Sequence, residues 1–310
     1  VRAADQFLFG YDDGHRLLTG SRELEPDTAA ALLRASDAAM VEGSQPLVTG
    51  LALLPREQYA FCVTWSANEL PRPGAVWAHA LIVDAQALSD ARAVEVLTGL
   101  PRRPAGGRAG FAGYRETIAL DTPAPAAPSY LPPGPPDPSL LERLARAAYG
   151  SESERTVAHD ALADAAKAAI ALWRAQWGSL RARFCFRTRE IVRGGASEFD
   201  LTVTRRIRDH GSPSEQPATA EPWLAGIAAD AGASAPTPLR DWLLAFGPFE
   251  PSEPRRLAAL AALWPLVVAR DGQATRAQLA RDWPGALDGA QLKQVLFAPE
   301  NDDWWSGAPL

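Results

Sequence analysis

Phe7-Leu8-Phe9-Gly10-Tyr11-Asp12-Asp13-Gly14-His15-Arg16-Leu17-Leu18-Thr19-Gly20-Ser21 is the stretch that decides the fold class. Phe7, Phe9 and Tyr11 alternate with Leu8 and Gly10, the period of a strand. Asp12-Asp13-Gly14 is turn chemistry, and residues 15–21 form the returning strand of a hairpin. Working outward, Pro26-Asp27 opens an Ala/Leu-rich helix to about residue 39, with proline in its first turn. Residues 48–54, 58–66 and 75–83 read as further strands. In the second of these, Tyr59, Phe61, Val63 and Trp65 share one face. Residues 85–98 read as a helix and 114–120 as a short strand. Strands outnumber helices and several connections are of hairpin length. The expectation is an α+β fold with a largely antiparallel sheet over 1–121, not a doubly wound one.

Residues 122–138 hold eight prolines in seventeen positions. Proline removes backbone donors and stiffens the chain, so this stretch reads as an extended Pro-rich linker. An α/β middle domain follows over 139–210. It comprises a helix at 140–148, a longer one to about Trp177 with Leu162, Ala166, Ile170 and Trp173 on its stripe, and then two alternating stretches. His159-Asp160 reads as local capping or surface. Residues 211–310 read as a helical region, with helices at 222–231, 239–246, 255–268, 275–282 and about 289–297. Trp304-Trp305 near the end call for something to pack on.

The chain has 310 residues, 47% hydrophobic and 22% charged, enough for a sizeable core. Two cysteines, Cys62 and Cys185, exclude a disulfide framework and a cysteine-based zinc site, and suit a reducing cytoplasm. Four histidines leave little material for a metal centre, and no cofactor is expected. No run of 18 apolar residues predicts a membrane helix, and Val1-Arg2-Ala3 lacks the apolar stretch of a signal peptide. The net charge of −6 argues against a general nucleic-acid binder. Of 31 basic residues 29 are arginines, beside 60 alanines, the mark of a GC-rich genome.

Against that background one local excess stands out. From 174 to 208 there are nine arginines and three acids. Arg181-Ala182-Arg183-Phe184-Cys185-Phe186-Arg187-Thr188-Arg189 alternates, so Arg181, Arg183, Arg187 and Arg189 are expected on one strand face and Phe184 and Phe186 on the other. Such a face binds phosphate or an acidic partner, or pairs internally. If the next strand, with Phe199, Leu201 and Val203 on its apolar side, runs antiparallel, Glu198 and Asp200 lie across from Arg187 and Arg189. His15 and His79, with Asp12 and Asp13, are candidates for acid–base or hydrolytic chemistry only if they converge. Otherwise His79 is a hydrogen-bonded sheet residue and His15 a turn anchor. Neither cysteine is accompanied by a base, and no phosphate-cradling glycine loop with lysine is present.

Gln6-Phe7-Leu8-Phe9-Gly10-Tyr11-Asp12-Asp13-Gly14-His15-Arg16-Leu17-Leu18 resembles the start of the bacterial GTPase-associated protein family. Trp77-Ala78-His79-Ala80-Leu81 is similar to its later His-Ala-Leu strand. Residues 180–188 resemble its middle-domain segment, with Ser179, Cys185 and Arg187 departing from the pattern. The resemblance covers about two thirds of the chain. It implies a noncatalytic adaptor of bacterial conflict or antiphage systems, working beside a separate, operon-encoded GTPase or other NTPase. It carries over no catalytic residues. The candidate interface comprises Asp13, His15, Arg16 and His79, with Arg181, Arg183, Arg187 and Arg189. Two rivals stay open: a hydrolase or nuclease using His15 and His79, and a nucleotide-sensing module using the arginine face.

Overall fold

The computed structural model describes residues 2–38, 40, 44–54, 56–70, 72–105, 107–122, 128–150, 155–190, 199–205 and 221–298. The strands are β1 (Ala3–Tyr11), β2 (His15–Gly20), β3 (Leu47–Leu53), β4 (Gln58–Ser66), β5 (Val76–Asp84), β6 (Ile118–Ala119), β7 (Thr156–His159), β8 (Phe186–Arg189) and β9 (Leu201–Arg205). The helices begin with α1 (Pro26–Ser36), α2 (Ala91–Gly99), α3 (Pro138–Tyr149), α4 (Leu162–Ala175) and the single turn α5 (Gly178–Arg181). They continue with α6 (Pro222–Gly232), α7 (Pro238–Phe246), α8 (Pro254–Val268), α9 (Gly272–Asp282) and α10 (Ala290–Leu296). The α+β class and the mostly antiparallel sheet are as the sequence predicts. Gly194-Gly195, Glu198 and Trp304-Trp305 lie outside the described residues, as do 123–127 of the Pro-rich stretch.

Local chemistry sets the helix starts. Proline occupies the first turn of α1, α3, α6, α7 and α8, where its missing N–H would have had no helical partner. Asp137, Thr237 and Asp271 cap α3, α7 and α9 by accepting backbone N–H groups. The opening hairpin closes on Asp12-Asp13-Gly14, with Asp13 at φ 55° and Gly14 at φ 121°.

All nine strands belong to one sheet, in the order β2-β1-β5-β4-β3-β8-β9-β7, with β6 added beside β1. The strands before residue 121 pair antiparallel. β8 joins β3 antiparallel through Thr49↔Arg187 and Gly50↔Phe186. β9 then runs parallel to both β8 and β7. The antiparallel pairing expected of the two alternating stretches is therefore replaced by a parallel one. Arg187 lies beside Thr202 and Arg189 beside Thr204, and Asp200 goes to Arg155 (3.1 Å) instead of Arg187. The strand is also shorter than expected. Arg181 ends a helical turn and Arg183 precedes β8, so only Arg187 and Arg189 share its polar face.

The two sheet faces are covered unequally. Tyr59, Phe61, Val63, Phe186, Leu201 and Val203 face a thick helical layer of α2, α3, α4, α6 and α8. Trp173 of α4 stacks on Tyr59 (5.2 Å) and Phe61 (5.9 Å) across the sheet. A ring that size withdraws on the order of 200 Å² from water, roughly 5 kcal/mol of gross stabilisation. On the opposite face Phe7, Phe9, Ala60, Cys62 and Ile82 meet α1 through Leu32. The β3–β8 joint is reinforced from the helical side, where Tyr59 Oη donates to the Phe184 carbonyl (2.8 Å). The Val48 N–H donates to Thr188 Oγ1 (2.8 Å). Gly50 is required there, because a Cβ would stand 2.2 Å from Tyr59 Oη and 2.4 Å from Phe186.

Candidate functional site

α1 covers the middle of its face and stops short of β8. Between them lies a cleft of about 490 Å³, floored by β3 and β8 and walled by α1. Thr49 and Leu51 of β3 and Arg187 and Arg189 of β8 face into it. The parity follows from the pleat: Phe186 and Thr188 point to the helical layer, so Arg187 and Arg189 point away from it. Phe199, expected beside Leu201 and Val203, precedes β9 and packs its ring 4.2 Å from the Arg187 guanidinium. The α1 wall presents Ala31, Arg34 and Ala35, at i, i+3 and i+4 on one helix face, with Ala38 just past the helix end. The lining balances Arg34, Arg56, Arg187 and Arg189 against Asp27, Asp37 and Glu190. Arg56 pairs with Glu25 at 3.5 Å. The Glu190 side chain is only 5% exposed and holds Arg205 Nε at 2.9 Å through Oε2.

The His15 turn lies on the same side of the sheet. His15 stacks on Phe9 and its Nε2 meets Ser36 Oγ at 2.9 Å, at the end of α1. Partial burial lowers its pKa, opposed by Asp37, which also lines the cleft. The end of α1 thus links the turn to the cleft. Arg16 pairs with Asp12 at the exposed tip.

His79 is elsewhere. It pairs with Leu8, and its ring meets Tyr114 edge-on at 4.7 Å on the helical side. It is 0% exposed, and Nδ1 accepts the Arg102 N–H at 3.1 Å. Burial, with a contribution from Arg102, lowers its pKa to about 3. His15 and His79 occupy opposite faces, so the two histidines do not form a hydrolytic pair. Arg181 is likewise enclosed, at 2% exposure. Its guanidinium donates to the carbonyls of Gln176 (2.7 Å) and Leu88, and burial lowers its pKa to about 10. Neither His79 nor Arg181 presents itself to a partner, while Arg183 is exposed just before β8. Asp13 occupies the tight turn before His15.

Cys62 is buried under α1 and its thiol is pushed up to about 12, which keeps it protonated and inert. Cys185 Sγ accepts the Ala52 N–H at 3.3 Å. Among the described residues no group of three or more His, Cys, Asp and Glu is placed to hold a metal ion. No described helix is long and apolar enough to cross a membrane.

Arg34, Arg56 and Glu190 were not singled out by the sequence reading. The α1 stripe of Ala31, Arg34 and Ala35 is the signal that would have found Arg34. Neither curated proteins nor solved structures gave a match to the chain. Residues 3–100 match the family model of GTPase-associated protein 1, N-terminal domain type 1, so the part of the chain that supplies α1 and the β3 floor of the cleft is similar to that domain of the GTPase-associated proteins.

Proposed function

We propose that this chain is a noncatalytic adaptor that docks a separate GTPase or related NTPase in a bacterial conflict, and specifically antiphage, system. The observation that carries the reading is the common placement of the His15 turn, α1 and the Arg187–Arg189 pair on the thinly covered side of the sheet. Two arginines held on a rigid strand, with exposed Arg183 nearby in the chain, suit an acidic partner surface. The match of residues 3–100 to a GTPase-associated domain supports an accessory role beside a GTPase. The cytoplasm is the compartment such a partner requires. The test is co-purification with the NTPase encoded beside this chain. Arg187→Glu with Arg189→Glu abolishes the complex while circular dichroism and melting stay unchanged. Undiminished co-purification of the folded double variant overturns the reading.

A further inference from the structure

We propose that Gln6 and His79 together bind one buried water molecule, a structural ligand that bridges them beneath the segment 101–117. The placement starts from the sheet. Gln6 pairs with Leu81 and Leu8 with His79, so Gln6 and His79 are diagonal neighbours on β1 and β5. Their side chains share the face on which Leu81 meets the helical layer. Diagonal neighbours stand about 7–8 Å apart, close enough for one molecule to join two side-chain tips. The covering segment draws those tips together. Gln6 Nε2 donates to the carbonyls of Glu116 (2.5 Å) and Gly113 (3.4 Å). Tyr114, next after Gly113, sets its ring at 85° to the His79 imidazole. Arg102 closes the set. Its N–H donates to His79 Nδ1 (3.1 Å), its guanidinium donates to the Gly113 carbonyl (2.6 Å), and its carbonyl accepts Tyr114 Oη (3.0 Å). Gln6 and His79 therefore lie under the same three residues.

What these bonds leave over is a matched acceptor and donor. Both Nε2 hydrogens of Gln6 go to carbonyls, which fixes the amide orientation and makes Oε1 the acceptor. His79 Nδ1 already accepts, so the neutral ring carries its proton on Nε2 and donates there. Neither Gln6 Oε1 nor His79 Nε2 has a hydrogen-bond partner among the described residues. Gln6 is 1% exposed and His79 0%. Polar atoms at that depth are costly to leave unpaired, and native structures rarely do so. One molecule that donates to Oε1 and accepts from Nε2 satisfies both atoms at once. Enclosure this complete selects a ligand of water's size, and buried waters typically take about 2–4 such partners.

The site lies on the helical side of the sheet, away from the His15 turn and the Arg187–Arg189 pair, so complex formation is not its readout. The experiment is NMR spectroscopy of the full chain, labelled with nitrogen-15, at neutral pH. The His79 ring shows the Nε2–H tautomer, its Nε2–H proton exchanges slowly enough to be resolved, and that proton cross-relaxes with a long-lived water. A crystal structure of the full chain places this water within about 3.2 Å of both Gln6 Oε1 and His79 Nε2. Gln6→Leu removes the acceptor, and the water peak is lost from the His79 proton. If that variant does not fold, the unaltered chain decides alone. The Nδ1–H tautomer, an unresolved Nε2–H proton, or a resolved one with no water peak overturns the proposal. So does an Nε2–H proton shifted upfield because it points into the face of the Tyr114 ring, a water bonded to only one of the two atoms, or a water peak that persists in folded Gln6→Leu.

Discussion

His79 accepts the Arg102 backbone N–H at Nδ1 from a position with no solvent exposure, and its pKa falls to about 3. The unfolded chain protonates the same imidazole near 6.5. Between those values the unfolded state binds more protons, so stability falls as pH drops below about 6.5 and the loss is complete near pH 3. From pH 7.5 to 5.0 this one group costs about 2 kcal/mol. Urea midpoints at the two pH values, compared between the chain and His79→Gln, measure it. The variant is less stable at pH 7.5 but has the shallower pH slope; equal slopes would show that His79 is not the buried titrating group.

Arg181 is bound by geometry that no strand face would give. Replacing it with methionine keeps the aliphatic packing and leaves the Gln176 and Leu88 carbonyls without donors. The expected loss is about 3 kcal/mol. Arg183→Ala, two residues on and exposed, stays within about 0.5 kcal/mol. Denaturant unfolding of the two variants separates an enclosed arginine from a surface one.

Asp230 of α6 is 2% exposed and ties α6 to α7. It accepts Thr237 Oγ1 (2.5 Å) and Arg240 Nε (2.7 Å), while its carbonyl accepts from the same guanidinium (3.0 Å). Asp230→Ala strands a largely buried cation and costs about 3–5 kcal/mol. Asp230→Ala combined with Arg240→Met recovers much of that loss, since the uncompensated charge is then gone. Thermal melts of the single and double variants decide it; no recovery in the double variant would count against the pair.

Gly50→Ala tests the joint between β3 and β8. The added methyl meets Tyr59 Oη and the Phe186 ring, neither of which is the free end of a flexible chain. The expected cost is about 1–3 kcal/mol, with amide exchange fastest in β8 and β9. Uniform exchange across the sheet would mean the joint carries no special constraint.

Much of the sheet was legible because its strands are long and amphipathic. Gln58–Ser66 shows a clean period of two, with Tyr59, Phe61 and Val63 against the helices and Ala60 and Cys62 under α1. The arginine parity at 187 and 189 was legible for the same reason. Arg181 was not, because α5 is four residues long and too short to display a helical period, so its pattern merged with that of β8. β7 escaped as well: Thr156–His159 is a four-residue strand whose partner lies more than forty positions away in β9. The parallel course of β9 depends on that distant pairing, and alternation within a strand carries no direction. The cleft was half legible, since its β8 wall is a local pattern and its α1 wall depends on where the helix docks.

The cleft draws its two walls from residues about 150 positions apart, Arg34 on one side and Arg187 on the other. Modular exchange of the first hundred residues between relatives would therefore carry one jaw without its counterpart. The first hundred residues and the segment around β8 are obliged to change in step. Recombination within this fold is tolerated where the cut keeps both jaws from one parent, and chimaeras that split them lose the groove before they lose the sheet.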